Sequence, residues 1–168
     1  MRKTTTRNTG LGLLEGLLAG AVATWAMGKV TSALYAREDR TARAREDGAR
    51  GGRTAYAVAA GKTARLAGAT LSDEASERWG GRLHWALGIG TAGLYGALRA
   101  REPALGAAHG VLFGLAFWLL VDELANPLLG FTPGPRAFPW QAHARGLAGH
   151  LAYGVTTAAA LDAMERVA

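Results

Sequence analysis

The sequence predicts an all-α polytopic membrane protein. It has four transmembrane helices, with a helical polar segment between the first and second. Three observations carry this. Charge is absent from four long runs, Gly16 to Gly28, Leu83 to Leu98, Pro103 to Val121 and Gly146 to Leu161. Residues 37–82 hold 17 of the chain's 32 charges. Small residues recur every four positions within three of the runs. A soluble bundle intersperses charge along every helix.

A bilayer span needs about 20 largely apolar residues. The third run, of 19 residues, meets that outright. The second and fourth reach it when Arg82, Arg99 and Arg145 snorkel to the headgroups. The first reaches it by tolerating Glu15 and Lys29. The expected spans are 10–35, 82–99, 104–124 and 143–164, in one membrane domain covering 1–168, with 37–81 outside the bilayer. Arg2, Lys3 and Arg7 before an apolar run also mimic a secretory leader, but Glu15 interrupts the apolar stretch. A retained first span is the expectation.

Several features bound the function. There is no cysteine, which excludes disulfides, thiolate nucleophiles and Cys-ligated metals. The net charge is +6 and the mean hydropathy +0.07. The charged segment carries ten Lys/Arg against seven Asp/Glu, with few aromatics and no recognition motif. Anionic lipid is therefore the expected partner, not nucleic acid. No nucleophile elbow, HExxH, P-loop or nucleotide fingerprint occurs, so no catalytic residue is assigned.

Within the polar segment, Asp39/Arg43, Arg43/Asp47 and Glu46/Arg50 have i,i+4 spacing, which suits a continuation of the first helix beyond the membrane. Gly48, Gly51 and Gly52 end it. Residues 54–70 form a weakly apolar helix, lying on the membrane or packed on the bundle end. Ser72-Asp73-Glu74 starts a helix, and Gly80-Gly81 breaks it before the second span.

The glycine spacings assign helix-contact faces to Gly12, Gly16 and Gly20, to Gly88 and Gly96, and to Gly106, Gly110 and Gly114. Small residues let helix backbones approach closely in lipid. Such faces also admit a homo-oligomer or docking into a larger membrane complex.

Ionisable groups at membrane depth mark functional candidates. Four-span topology gathers His84, Asp122, Glu123 and His150 at one end of the bundle, with Asn126 and His143 nearby in sequence. Such a set suits proton exchange or a divalent metal. Glu15 and His109 form a second polar pair at the opposite end. No cofactor is expected, although two membrane histidines leave haem as an alternative. Lys/Arg counts of twelve against six favour a cytoplasmic loop side.

The most distinctive stretch runs from Asn126-Pro127-Leu128-Leu129-Gly130-Phe131-Thr132-Pro133 through Phe138-Pro139-Trp140 to Gly149-His150-Leu151. Pro127 is expected to stop the third helix. With His84, Tyr95-Gly96 and the Gly106 to Gly114 stretch, this order resembles the YagU-like inner-membrane family of bacteria. The likeness covers about residues 82–155; the Asp122-Glu123 pair and the Arg-rich 37–82 segment depart from it. It implies a small multi-pass plasma-membrane protein linked to acid tolerance, with no established catalytic activity. The expected function is non-enzymatic, with a proton-responsive or cation-binding cluster. The alternatives are a scaffold subunit and a small membrane enzyme or haem subunit.

Overall fold

The computed structural model describes residues 8–167, which form an all-helical chain. Arg2, Lys3 and Arg7 lie outside the described residues. Helix α1 spans Thr9–Arg37 and starts where the Asn8 side chain accepts from the amides of Gly10 and Leu11. The short helices α2 (Arg40–Arg50) and α3 (Ala55–Leu66) follow. Helix α4 spans Asp73–Arg101, α5 spans Val111–Leu128 and α6 spans Trp140–Val167.

The four long helices alternate in direction. Gly12 faces Gly96 and Gly20 faces Ile89, so α1 and α4 run antiparallel. Gly110 faces Gly154 and Gly114 faces His150, so α5 and α6 do too. Helix α1 also packs along α6, where Gly149 meets Met27 and Thr31. One end of the bundle therefore collects the end of α1, the α2–α3 pair, the start of α4, the end of α5 and the loop before α6. We call it the loop end.

The packing puts small residues inside and large ones outside. Ala19, Ala23, Ala92 and Ala158 are fully buried, whereas Leu14, Leu18, Leu94, Leu112 and Leu120 are all more than half exposed. The largest fully buried side chains are Tyr153, Leu161, His150, Glu46 and Thr157, and four of these five carry polar atoms. Tyr153 satisfies its hydroxyl by donating to the Gly88 carbonyl at 2.5 Å. An interior of glycine and alanine lets backbones touch, which displaces the bulky apolar side chains to the periphery. Helices α1 and α5 are long and apolar enough to cross a membrane.

Four elements differ from the sequence expectation, each for a local reason. Helix α1 ends at Arg37 instead of continuing. Asp39 caps a new helix by accepting from the Ala42 amide, and Glu38 turns to pair with Arg145. Gly80-Gly81 does not break α4: Gly80 is where the Tyr56–Ala57 backbone of α3 crosses, and an added β-carbon would lie 2.6 Å from the Ala57 nitrogen. That contact holds α3 against the bundle end. The third long helix begins at Val111, not 104, because Pro103–Gly106 is a 3-10 turn and His109 and Gly110 have φ of 47° and 80°. Gly106 accordingly faces the Arg99 side chain, not a helix backbone. Pro127 does not stop α5. A π-helical stretch, Leu119–Ala125, precedes it and the chain stays helical to Leu128. Widening the turn relieves the clash between a proline ring and the preceding turn's carbonyl.

Candidate functional site at the loop end

A cavity of about 650 Å³ opens at the loop end. Every neighbouring element contributes to its wall: Tyr35 from α1, Glu46 from α2, Tyr56 from α3, His84 from α4, Trp118 from α5 and Arg145 from α6.

One wall is an ion-pair network. The Arg145 guanidinium donates to Glu38 and, at 2.5 Å, to Glu46, and it lies over the Tyr35 ring at 4.9 Å. Arg50 reaches the same Glu46 oxygen at 2.6 Å. Tyr35 donates to Asp47 at 3.2 Å. Arg145 and Glu46 are both buried, so this network fixes α2 across the end of the bundle. Of the three i,i+4 pairs expected in α2, Glu46/Arg50 is an ion pair; Asp39 serves as the cap and Arg43 lies over Tyr35.

The facing wall carries the titratable groups. His143 and His150 are seven residues apart, so they share one face of α6 about 10 Å apart. Asp122 and Glu123 lie within the π-helical stretch of α5. Glu123 meets His143 Nδ1 at 2.7 Å, and His143 Nε2 faces the Pro135 carbonyl at 3.0 Å. Asp122 lies 3.6 Å from His150 Nδ1, and that nitrogen is 2.9 Å from the Gly146 carbonyl. Asn126 donates to Asp122 at 3.5 Å. π-Bulges recur at functional sites, because the extra residue re-aims side chains.

The structure thus brings His84, Asp122 and Glu123 to the cavity. His150 sits behind it, edge-on to Phe117 with ring centroids 5.1 Å apart. His84 is edge-on to Tyr56 at 4.9 Å, and a void of about 10 Å³ lies between His84 and His150. Among the described residues, no group of three or more His, Asp and Glu side chains is placed to hold a metal ion. The two α6 histidines take different carboxylates, and His84 faces an aromatic ring. At the other end, Glu15 is buried within α1 and His109 is exposed in the turn before α5.

Sequence reasoning missed Tyr56, Trp118 and Gly146. Burial pushes the Tyr56 hydroxyl well above its ordinary range, and the Asp122 charge adds to that, so Tyr56 stays a proton donor. Trp118 Nε1 is buried without a hydrogen-bond partner. A β-carbon on Gly146 would lie 3.2 Å from that nitrogen and 3.4 Å from Asp122 Oδ2. Missing side-chain bulk at Gly146 therefore leaves a concave point between a donor and an acceptor. No spacing within either helix signals this contact, which forms only where α5 and α6 face each other. The loop above is held by Lys62, which donates to the Leu129 and Gly130 carbonyls at 2.9 Å each and lies over Phe131.

The glycine faces are occupied within the bundle. Gly12, Gly16 and Gly20 meet α4, Gly88 meets Thr24 and Gly96 meets Gly12 and Gly16, while Gly110 and Gly114 meet α6.

No curated protein and no solved structure matches the chain. Residues 56–159, from the start of α3 through most of α6, match the family model DUF1440, described as a protein of unknown function. The chain therefore belongs to this family of unknown function, and the matched region holds the titratable wall of the cavity.

Proposed function

We propose that this is a small four-span integral membrane protein whose loop-end cavity responds to protons. The observation that carries the reading is the inside-out bundle: alanine and glycine at the helix contacts, exposed leucine around them. Contiguous exposed apolar surface marks a site that meets lipid or protein. Exposed Leu94 and Leu98 on α4 and Val155 on α6 extend it beyond the two most apolar helices. Lys29 over Trp25 and Arg82 over Trp79 suit headgroup contact, with anionic lipid as partner.

Two His–carboxylate pairs at the loop end, His143–Glu123 on the cavity wall and His150–Asp122 reaching behind it, give the proton response its chemistry, since histidine side chains exchange protons near neutral pH. The likeness to the YagU-like family supports a bacterial inner-membrane location and a role in acid tolerance. A non-enzymatic role fits best. The scaffold alternative loses its motivating surface, because the glycine faces are used inside the bundle. The void between His84 and His150, about 10 Å³, has no room for a porphyrin.

The test is tryptophan fluorescence of the protein in nanodiscs between pH 5 and 8, with Trp118→Phe defining the cavity's contribution. The reading expects a Trp118 transition that the His143→Ala/His150→Ala double variant abolishes or displaces. A flat profile, or one unchanged in that variant, overturns it.

A further inference from the structure

The cavity has a charge pattern that departs from the chain's. The protein carries +6 overall. The cavity wall instead has four carboxylates, Glu46, Asp47, Asp122 and Glu123, against two guanidiniums, Arg50 and Arg145. Both guanidiniums are committed to Glu46, and Asp47 and Glu123 have close partners. Asp122 is different. Its partners are distant: a long hydrogen bond from Asn126 Nδ2 at 3.5 Å and His150 Nδ1 at 3.6 Å. Its carboxylate reaches the concave point over Gly146, beside the Trp118 side chain. The rings of Tyr56, Trp118 and Phe138 line the same cavity.

These features select a ligand class. A volume of about 650 Å³ is of the size that holds small organic molecules. A bare metal ion lacks a three-donor cluster among the described residues. An anion would meet the net negative wall. A protonated amine supplies N–H donors to Asp122, and its apolar body covers the aromatic rings, where a cation is also attracted to the ring faces. We infer that the loop-end cavity is a binding site for an organic ammonium ion, seated over Gly146 with its charged nitrogen on Asp122. This deepens the proton-responsive reading and rests on it for the membrane setting.

Gly146 makes the inference testable without dismantling the site. A methyl group there would occupy the seat, at 3.2 to 3.5 Å from the Trp118 and Asp122 side chains, whose free ends give by a few tenths of an ångström. Alanine is also the better helix former. The experiment is calorimetric titration of the full chain in nanodiscs with three probes of one shape: benzylammonium, benzyl alcohol and benzoate. The expectation is saturable binding of benzylammonium at least tenfold tighter than either other probe. Gly146→Ala and Asp122→Asn should each weaken it tenfold or more. Partitioning into lipid is common to all variants and cancels. Equal binding of the three probes, no saturable binding, or unchanged affinity in a folded Gly146→Ala protein overturns the inference. If benzylammonium fails while the Trp118 pH transition persists, the amine site falls and the proton-responsive cavity stands. If the transition is also absent, the broader reading falls with it.

Discussion

Gly16 of α1 lies directly against the backbone of Ala92 in α4: a β-carbon there would collide with the Ala92 carbonyl oxygen and lie 2.8 Å from the Cα of Gly93. The contact leaves no space for any side chain. Gly90, on the same α4, faces open space. Gly16→Ala is therefore expected to destabilise the bundle by about 1–3 kcal/mol through overpacking. Gly90→Ala should leave stability unchanged or raise it by up to about 1 kcal/mol, through helix propensity alone. Thermal unfolding in one detergent compares the two. Equal effects would mean that the α1–α4 contact is looser than described.

Arg145 and Glu46 make the buried pair at the loop end. Removing one partner weakens the network without emptying it, because Arg145 keeps Glu38 and Glu46 keeps Arg50. Glu46→Ala is therefore expected to cost about 1.5–3 kcal/mol, the worth of a charged hydrogen bond. The double replacement Glu46→Leu/Arg145→Met should cost less than the two single changes combined, since it removes both charges. A double-mutant cycle measures the coupling, and strict additivity would count against a direct pair.

Glu74 stands in the first turn of α4, where its own backbone amide and the Ser72 hydroxyl hydrogen-bond its carboxylate and lower its pKa below the ordinary value. A group with a depressed folded-state pKa adds stability above its unfolded pKa and loses it as pH falls through the folded one. This contribution is therefore present at neutral pH and disappears below the normal carboxylate range. Carbon-13 NMR titration of Glu74 should give a midpoint under that of an unstructured glutamate, and Ser72→Ala should move it upward. A midpoint that ignores Ser72→Ala would contradict the Ser72–Glu74 hydrogen bond.

Lys62 binds the Leu129 and Gly130 carbonyls across the cavity's edge. Lys62→Met should speed amide hydrogen exchange in residues 128–134, while the melting temperature stays within a degree or two. Unchanged exchange would show that prolines alone hold the loop.

Much of this was legible locally. The Ser72-Asp73-Glu74 cap and the apolar run of α1 need only nearby residues, and both elements start where those signals lie. What could not be read depends on distant partners. Gly80-Gly81 has the composition of a break, yet Gly80 is where α3 crosses. Pro127 reads as a terminator unless the π-helical stretch before it is known. His143 drew notice only as a neighbour, because its pairing with Glu123 depends on how α5 and α6 face each other. Trp118 and Gly146 meet only across that interface, so no spacing in either helix announces the seat between them.

The central claim is that the exposed leucines of α1, α4 and α5 and Val155 of α6 face lipid while the loop end faces water. The absence of cysteine makes the direct measurement clean, because each introduced thiol is the only one present. Single variants Leu18→Cys, Leu94→Cys, Leu112→Cys and Val155→Cys, with Thr70→Cys and Gly134→Cys at the loop end and Glu102→Cys opposite, would be tested in sealed vesicles with a membrane-impermeant maleimide. The account predicts no labelling at the first four, labelling of Thr70→Cys and Gly134→Cys from one side, and of Glu102→Cys only from the other. Ready labelling at any of the first four positions, or all three remaining sites reacting from one side, would contradict a four-span bundle.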